Sequence, residues 1–251
     1  MNLPTDPLFY AVASLAIILV GIAKGGFAGL GAASMPMLVL VMDPLPAAAM
    51  LLPILMVQDG VSVWSFRKDF DLPTLKLMLP GALVGIFLGW LLASTVPADG
   101  VRGLVGLISL VFGMNRLLES RGMGLPVPPD LPGWIGTLCG GLAGFTSQVA
   151  HAGGPPFQIW ALNRNFPHLV FIGTSSIFFA IINWLKVPAY FALGQFTWGN
   201  MQLSLVFLPL ALASTMTGVW IVRRIKPERF YTVISVLMVV VGIELLRVAI
   251  T

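Results

Sequence analysis

The chain has 251 residues, 57% hydrophobic and only 10% charged, with a mean hydropathy of +0.94. A soluble domain carries about 25% charged residues. This composition therefore excludes a cytosolic globular enzyme and a disordered chain, and a formal charge of +4 is too sparse for a nucleic-acid binder. One cysteine, Cys139, and two histidines, His151 and His168, exclude a disulfide framework and predict neither a metal site nor a cofactor. What remains is one transmembrane domain, residues 1–251, with the lipid bilayer as its first partner.

A helix needs about 20 mostly apolar residues to cross about 30 Å of hydrocarbon. The opening residues carry no basic n-region, so a cleaved signal peptide is not expected. Residues 7–42 then run 36 residues without a polar loop. That is about 54 Å as helix at ~1.5 Å per residue, too long for one crossing. The run is interrupted by Lys24-Gly25-Gly26-Phe-Ala-Gly29-Leu-Gly31. Residues 46–66, 73–95 and 100–118 read as single crossings, the second with Gly81, Gly85 and Gly89 at a spacing suited to close helix packing. Residues 132–163 repeat the interrupted pattern, with breaks expected at Gly140-Gly141-Leu-Ala-Gly144 and at His151-Ala-Gly153-Gly154-Pro155-Pro156. Residues 168–192, 199–222 and 228–250 complete six clear crossings. Broken backbone is tolerated at membrane depth only where it is buried in protein or lines a cavity.

The charges choose between one distorted pass and a hairpin. If 132–163 returns to the side it left, ten of the 14 basic residues share one face: 67, 68, 76, 116, 121, 164, 223, 224, 226 and 229. A single pass would put the Arg223–Arg229 cluster outside, against the positive-inside bias. The hairpin is favoured, and both termini are expected on the extracytoplasmic side.

Each half then holds one Gly-rich re-entrant hairpin plus three crossings, so the halves, 7–119 and 131–250, have opposite orientation. Their sequences correspond loosely: Pro36 with Pro155, Pro80 with Pro209, Gly89 with Gly218, Pro97 with Pro227 and Gly113 with Gly242. The expected fold class is all-α, a polytopic membrane protein of two inverted-topology repeats. Paired broken helices in such repeats mark the substrate site of secondary transporters.

The stretches Gly25–Pro36, Gly144-Phe-Thr-Ser147-Gln148-Val-Ala-His151-Ala-Gly153-Gly154-Pro155-Pro156 and Phe178–Pro188 resemble the TauE/SafE sulfite exporter family, over essentially the whole chain. The second stretch is similar to the subgroup with a His-Ala-Gly-Gly-Pro-Pro run. The resemblance implies movement of sulfite, sulfonates or related small organosulfur anions across the plasma membrane.

Polar residues stranded in apolar sequence are the candidate site. Lys24, at the first break, either attracts an anionic substrate, the favoured role, or neutralises a carboxylate or snorkels to an interface. Backbone N–H groups near Gly25, Gly29 and Gly31, and near Gly153 and Gly154 where a second short helix begins at Pro155-Pro156, would add donors. Ser147, Gln148 and His151 supply further donors, and His151 also titrates near neutral pH. Lys186, next to the helix-disrupting Pro188, either contacts substrate or snorkels; Asn183, almost one turn earlier, faces the same cavity. Asp59 is either a charge partner for Lys24 or Lys186, slightly favoured, or a proton carrier. Glu244 is expected at the periphery, paired with Arg247. Trp134, Trp90 and Trp198 suit an interfacial belt, while Trp160 and Trp184 adjoin the broken motifs.

The leading function is thus a secondary transporter of a small sulfur oxyanion working by alternating access, with proton coupling left open. A channel-like anion uniporter is the alternative. A membrane enzyme ranks below both, for lack of an HExxH motif or a nucleophile elbow. Assembly into a homo-oligomer is left open.

Overall fold

The structure, a computed structural model, describes residues 4–25, 30–123, 131–161, 164, 166–222 and 228–250. Every regular element within them is helical. In chain order these are α1 (Pro7–Lys24), a 3-10 turn (Leu30–Ala33), α2 (Ser34–Val39), α3 (Pro44–Phe66), α4 (Leu72–Thr95), α5 (Ala98–Ser120), α6 (Gly133–Ala150), α7 (Gly154–Ala161), α8 (His168–Ala192), α9 (Trp198–Val222) and α10 (Glu228–Ile250). By length and composition, α1, α3, α4, α5, α8 and α9 can each cross a membrane. The chain is an all-α polytopic membrane protein.

Local chemistry sets several helix starts. Asp6 accepts from the N–H of Leu8 at 2.9 Å and Asp71 from that of Thr74 at 2.8 Å, with Pro7 and Pro73 in the first turns. These caps satisfy donors that have no partner within the helix. The outward faces are apolar. Leu83, Val84, Phe87 and Leu88 of α4 and Leu205, Val206 and Met216 of α9 are all exposed. A surface of that extent would drive aggregation in water and is at home in lipid. The central helix is α3, 61% buried over its spanning window against 33–39% for the others, and Ala47 to Leu52 are all but inaccessible.

Side-chain and backbone contacts fix the helix directions. Tyr10 meets the ring of Phe207, Ser214 Oγ donates to the carbonyl of Ile17 at 3.5 Å, and Gly25 lies on Gly218, so α1 and α9 run parallel. Helices α4 and α6 also run parallel: Gly81 lies on Thr137, Gly85 on Gly141 and Gly89 on Gln148. The α3 and α8 helices are antiparallel, with Asp59 at Asn183 and Phe66 at Gly173. So are α5 and α10, where Gly106 and Gly242 lie against each other's carbonyl. Arg102, early in α5, bonds Asp43 at the start of α3 at 2.9 Å, placing both at one end of the bundle. The opposite end holds the α3–α4 connection, where the Asp71 N–H donates to Thr174 Oγ1 at 2.9 Å, and the start of α6, where Gly136 meets Trp160 of α7.

One expectation about the breaks is corrected. Gly140, Gly141 and Gly144 do not interrupt α6. They let α4 approach: a Cβ on Gly140 or Gly144 would sit 2.1 Å from the carbonyl oxygen of Met78 or Ala82. Before breaking, α1 and α6 each run 18 residues, about 27 Å at 1.5 Å per residue. Both breaks therefore lie toward the far end of their helices.

The glycine contacts make a sharp contrast testable. Gly85→Ala would put a Cβ 1.9 Å from the Gly141 carbonyl oxygen, whereas Gly60, in α3, has nothing within 4 Å. Gly85→Ala should cost about 1–3 kcal/mol through overpacking, seen as a lower unfolding temperature in detergent. Gly60→Ala should leave that temperature unchanged or slightly raised.

Candidate functional site

The site is assembled around the second half of α3. Ser62 Oγ donates to the carbonyl of Lys24 at 2.8 Å and fixes the end of α1. From there the Lys24 ammonium reaches Asp59 Oδ1 in an ion pair, and also lies 5.4 Å from the ring centroid of Phe179. Asn183 of α8 donates to the other carboxylate oxygen, Oδ2, at 2.5 Å. Asp59 is therefore held on both oxygens, by a cation from α1 and an amide from α8.

The second break has unusual backbone. His151 ends α6 with φ 48° and ψ 26°, the left-handed region, and among the described residues it is the only non-glycine there. Helices commonly end this way, but with glycine, which has no Cβ to clash. The turn is closed by the N–H groups of His151 and Ala152, which donate to the carbonyls of Ser147 and Thr146 at 3.1 and 3.2 Å. The imidazole is engaged on both sides: Nε2 lies 3.0 Å from the Ala48 carbonyl and Nδ1 lies 2.8 Å from Lys186 Nζ. A carbonyl only accepts, so Nε2 carries the hydrogen and Nδ1 is the acceptor.

Lys186 is wholly inaccessible. Its Nζ also lies 3.2 Å from the Ser147 carbonyl and 3.1 Å from Ser147 Oγ. Among the described residues no carboxylate lies within 4.0 Å of it. Neither lysine snorkels.

A cavity of about 80 Å³ opens between these groups. A buried water needs roughly 10–15 Å³ on this measure, so the space suits a small polyatomic ion or a few waters. Of the candidate site residues, Lys24, Gly31, Ser147, His151, Gly154 and Asn183 line it. Asp59 and Lys186 stand directly behind it, bonded to lining residues. Three expected residues point elsewhere. Gly25 packs on Gly218 of α9, Gly153 packs on Ala143, and Gln148 lays its side chain against Gly89. Gly29 lies outside the described residues. Trp160 is buried against Gly136, and Trp184, 65% exposed, faces outward, so neither walls the cavity. Glu244 and Arg247 pair at the periphery, at 2.6 and 2.9 Å.

Sequence reasoning missed the opposite wall. Gln158, one turn into α7, lines the cavity, and its buried Nε2 has no hydrogen-bond partner among the described residues. Its place just after Gly154-Pro155-Pro156, on a short helix following a break, was the available signal. Ser175 and Ser176 of α8 add two hydroxyls to the lining. Val20, Leu55, Phe157, Ile172 and Phe179 make an apolar part of the wall. These are ordinary core residue types and carry no signal in sequence. Chemically, the site offers two lysine amines, one carboxylate and a set of neutral donors around an anion-sized space.

A family model, Sulfite exporter TauE/SafE, matches residues 13–245, nearly the whole chain. The chain belongs to the TauE/SafE family. It is therefore a multi-pass plasma-membrane transporter of a small anion, and not an enzyme. No match was found among curated proteins or among solved structures.

The two lysines should respond differently to removal. Lys24→Met leaves the Asp59 carboxylate, only 3% exposed, without its cation. Breaking a buried pair in this way costs about 3–5 kcal/mol, and removing both partners restores much of it. Unfolding in detergent should therefore show Lys24→Met markedly less stable than Lys24→Met/Asp59→Leu. Lys186→Met, which strands no opposite charge, should be milder than Lys24→Met.

Proposed function

We propose that this TauE/SafE transporter carries a small sulfur oxyanion, of the sulfite and sulfonate class, and that it belongs with family members bearing the His-Ala-Gly-Gly-Pro-Pro run, here His151–Pro156. The observation that carries the reading is the imbalance at the cavity: one half-buried and one fully buried lysine face a single carboxylate. A buried charge is stable only when paired or hydrogen-bonded, and a bound monoanion supplies the balance. Sulfur oxyanions accept several hydrogen bonds at once, which suits Lys24, Asn183 and the unpartnered Gln158 amide. The apolar wall of Phe157 and Phe179 accommodates the methyl or methylene of a sulfonate.

The mechanism is alternating access between two inverted repeats, 7–119 and 131–250. Several contacts support this. Exchanging α1 with α6, α3 with α8, α4 with α9 and α5 with α10 maps the α1–α9 packing onto α6–α4 and leaves the α3–α8 and α5–α10 packings in place. Glycines recur at corresponding points, with Gly21 and Gly25 on α9, and Gly140 and Gly144 on α4. The α1–α2 segment begins and ends at the end marked by Arg102 and Asp43. The α6–α7 segment begins and ends at the other, as two opposed re-entrant hairpins would. Arg67, Lys68 and Arg164 gather at the α6–α7 end. The positive-inside bias makes that end cytoplasmic and puts the N-terminus outside. The Arg223, Arg224 and Lys226 cluster lies outside the described residues. Rocking one repeat against the other would expose the site to each side in turn.

The test is flux in proteoliposomes with sulfite and methanesulfonate, against acetate as control. Losing a charge-assisted hydrogen bond costs about 1.5–3 kcal/mol, roughly tenfold or more in affinity. Lys24→Ala and His151→Ala should each lower sulfur-anion flux at least tenfold while the protein stays monodisperse. His151→Gly should do the same with its backbone relieved, tying the loss to the imidazole. Normal flux from both alanine variants would remove these residues from the site.

A further inference from the structure

We infer that the Lys186–His151 pair, and not Asp59, takes up the proton that travels with each anion. This rests on the anion-transport reading above and adds which group is the proton carrier. A group that carries a proton back and forth has to keep its hydrogen bonds in both protonation states.

Asp59 does not. Its two oxygens accept from the Lys24 ammonium and the Asn183 amide N–H, so to take a proton and keep both bonds it needs Lys24 to give up its charge or the Asn183 amide to turn over. A proton on either oxygen would meet a donor already in place.

Lys186 does. As an ammonium it donates three hydrogen bonds, to the Ser147 carbonyl, to Ser147 Oγ and to His151 Nδ1. As a neutral amine it keeps two N–H donors for the carbonyl and Nδ1, and its lone pair accepts from the Ser147 hydroxyl. That hydroxyl only has to rotate. No heavy atom moves between the two states. The proton adds to the nitrogen lone pair, and no bond of the anion forms or breaks.

Charge links this proton to the anion. The groups facing the pair are Lys24 from α1, Asp59 from α3 and Tyr190, whose ring stacks on His151 at 6.2 Å while its hydroxyl donates to the Gln148 carbonyl at 2.8 Å. Lys24 and Asp59 cancel, and the tyrosine is neutral. A proton on Lys186 is therefore the one uncompensated charge in a fully buried place. A monoanion arriving in the cavity beside Ser147 and His151 compensates it. Anion and proton bind together, leave together, and cross as a neutral load. Such a carrier concentrates a monoanion on an inward proton gradient and is insensitive to membrane potential.

The experiment uses the purified full chain in detergent and methanesulfonate, which does not itself titrate near neutral pH. Proton uptake is followed with a pH indicator while calorimetry counts bound anion. About one proton should be taken up per anion, with no carboxylic-acid band in the infrared difference spectrum. Lys186→Met should bind the anion at least tenfold more weakly, and whatever it binds should bring no proton. Binding by the wild type without uptake overturns the inference. So does a carboxylic-acid band, which would place the proton on Asp59, and so does uptake retained in Lys186→Met. Because the wild-type readings are decisive alone, a poorly folded variant does not blunt the test. If neither methanesulfonate nor sulfite binds at all, the anion reading itself fails, an outcome distinct from binding without a proton.

Discussion

A lysine buried in a membrane protein without a carboxylate beside it is the constraint around which this molecule is arranged. Placing a charge at the bilayer centre is costly on any scale, and Lys186 is fully inaccessible. Neutral acceptors alone surround it: the Ser147 carbonyl and hydroxyl, and His151 Nδ1. Two of these sit on the last turn of α6 and the third on the residue that ends it. The helix must therefore stop where it does and turn in the left-handed conformation of His151. A glycine would make that turn more easily, but a glycine has no ring to span Lys186 and the Ala48 carbonyl. The strained backbone at this position follows from the side chain that the charge requires.

That arrangement needs helices closer together than ordinary side chains permit. The α4–α6 and α1–α9 pairs meet through glycines whose Cβ positions are already occupied by the neighbour's backbone. In lipid there is little hydrophobic drive to hold helices together, so close backbone contact and interhelical hydrogen bonds take its place. Ser62 to the Lys24 carbonyl, Ser204 to the Met50 carbonyl at 2.8 Å and Tyr190 to the Gln148 carbonyl are bonds of this second kind. Each joins a different pair of elements: α3 to α1, α9 to α3 and α8 to α6.

How much of this was legible in the sequence depends on the range of the interaction. The membrane class and the crossings followed from scarcity of charge, which also narrowed the partner of Asp59 to Lys24 or Lys186; the structure gives it Lys24, in the role ranked second for that lysine. Glycine was ambiguous. The same residue type marks a broken backbone at Gly153-Gly154 and close packing at Gly140 and Gly144, and only the neighbouring helix distinguishes them. Gln148 was misjudged for a related reason: it precedes His151 by less than a turn, yet projects toward Gly89 and not into the cavity. Gln158 and the phenylalanine wall went unseen because their types are common in any apolar helix.

The division of labour between the two lysines follows from what each is tied to. Lys24 hangs from α1, which packs along α9, and Lys186 from α8, which packs on α3 and α4. Asp59 and Asn183 join the two sides directly, as carboxylate and amide. An oxyanion lying between Lys24 and the Ser147–His151 wall would tie the same two sides together from within the cavity. On the proposed reading, the empty and loaded transporters are thus both closed around a neutral centre, one by the Lys24–Asp59 pair with a neutral Lys186 and the other by the anion with a protonated one. A state with the proton and no anion, or the anion and no proton, leaves a net charge buried among Phe157, Phe179 and Ile172. Penalising those half-loaded states is what keeps a carrier from leaking protons, and here one lysine without a carboxylate is sufficient to do it.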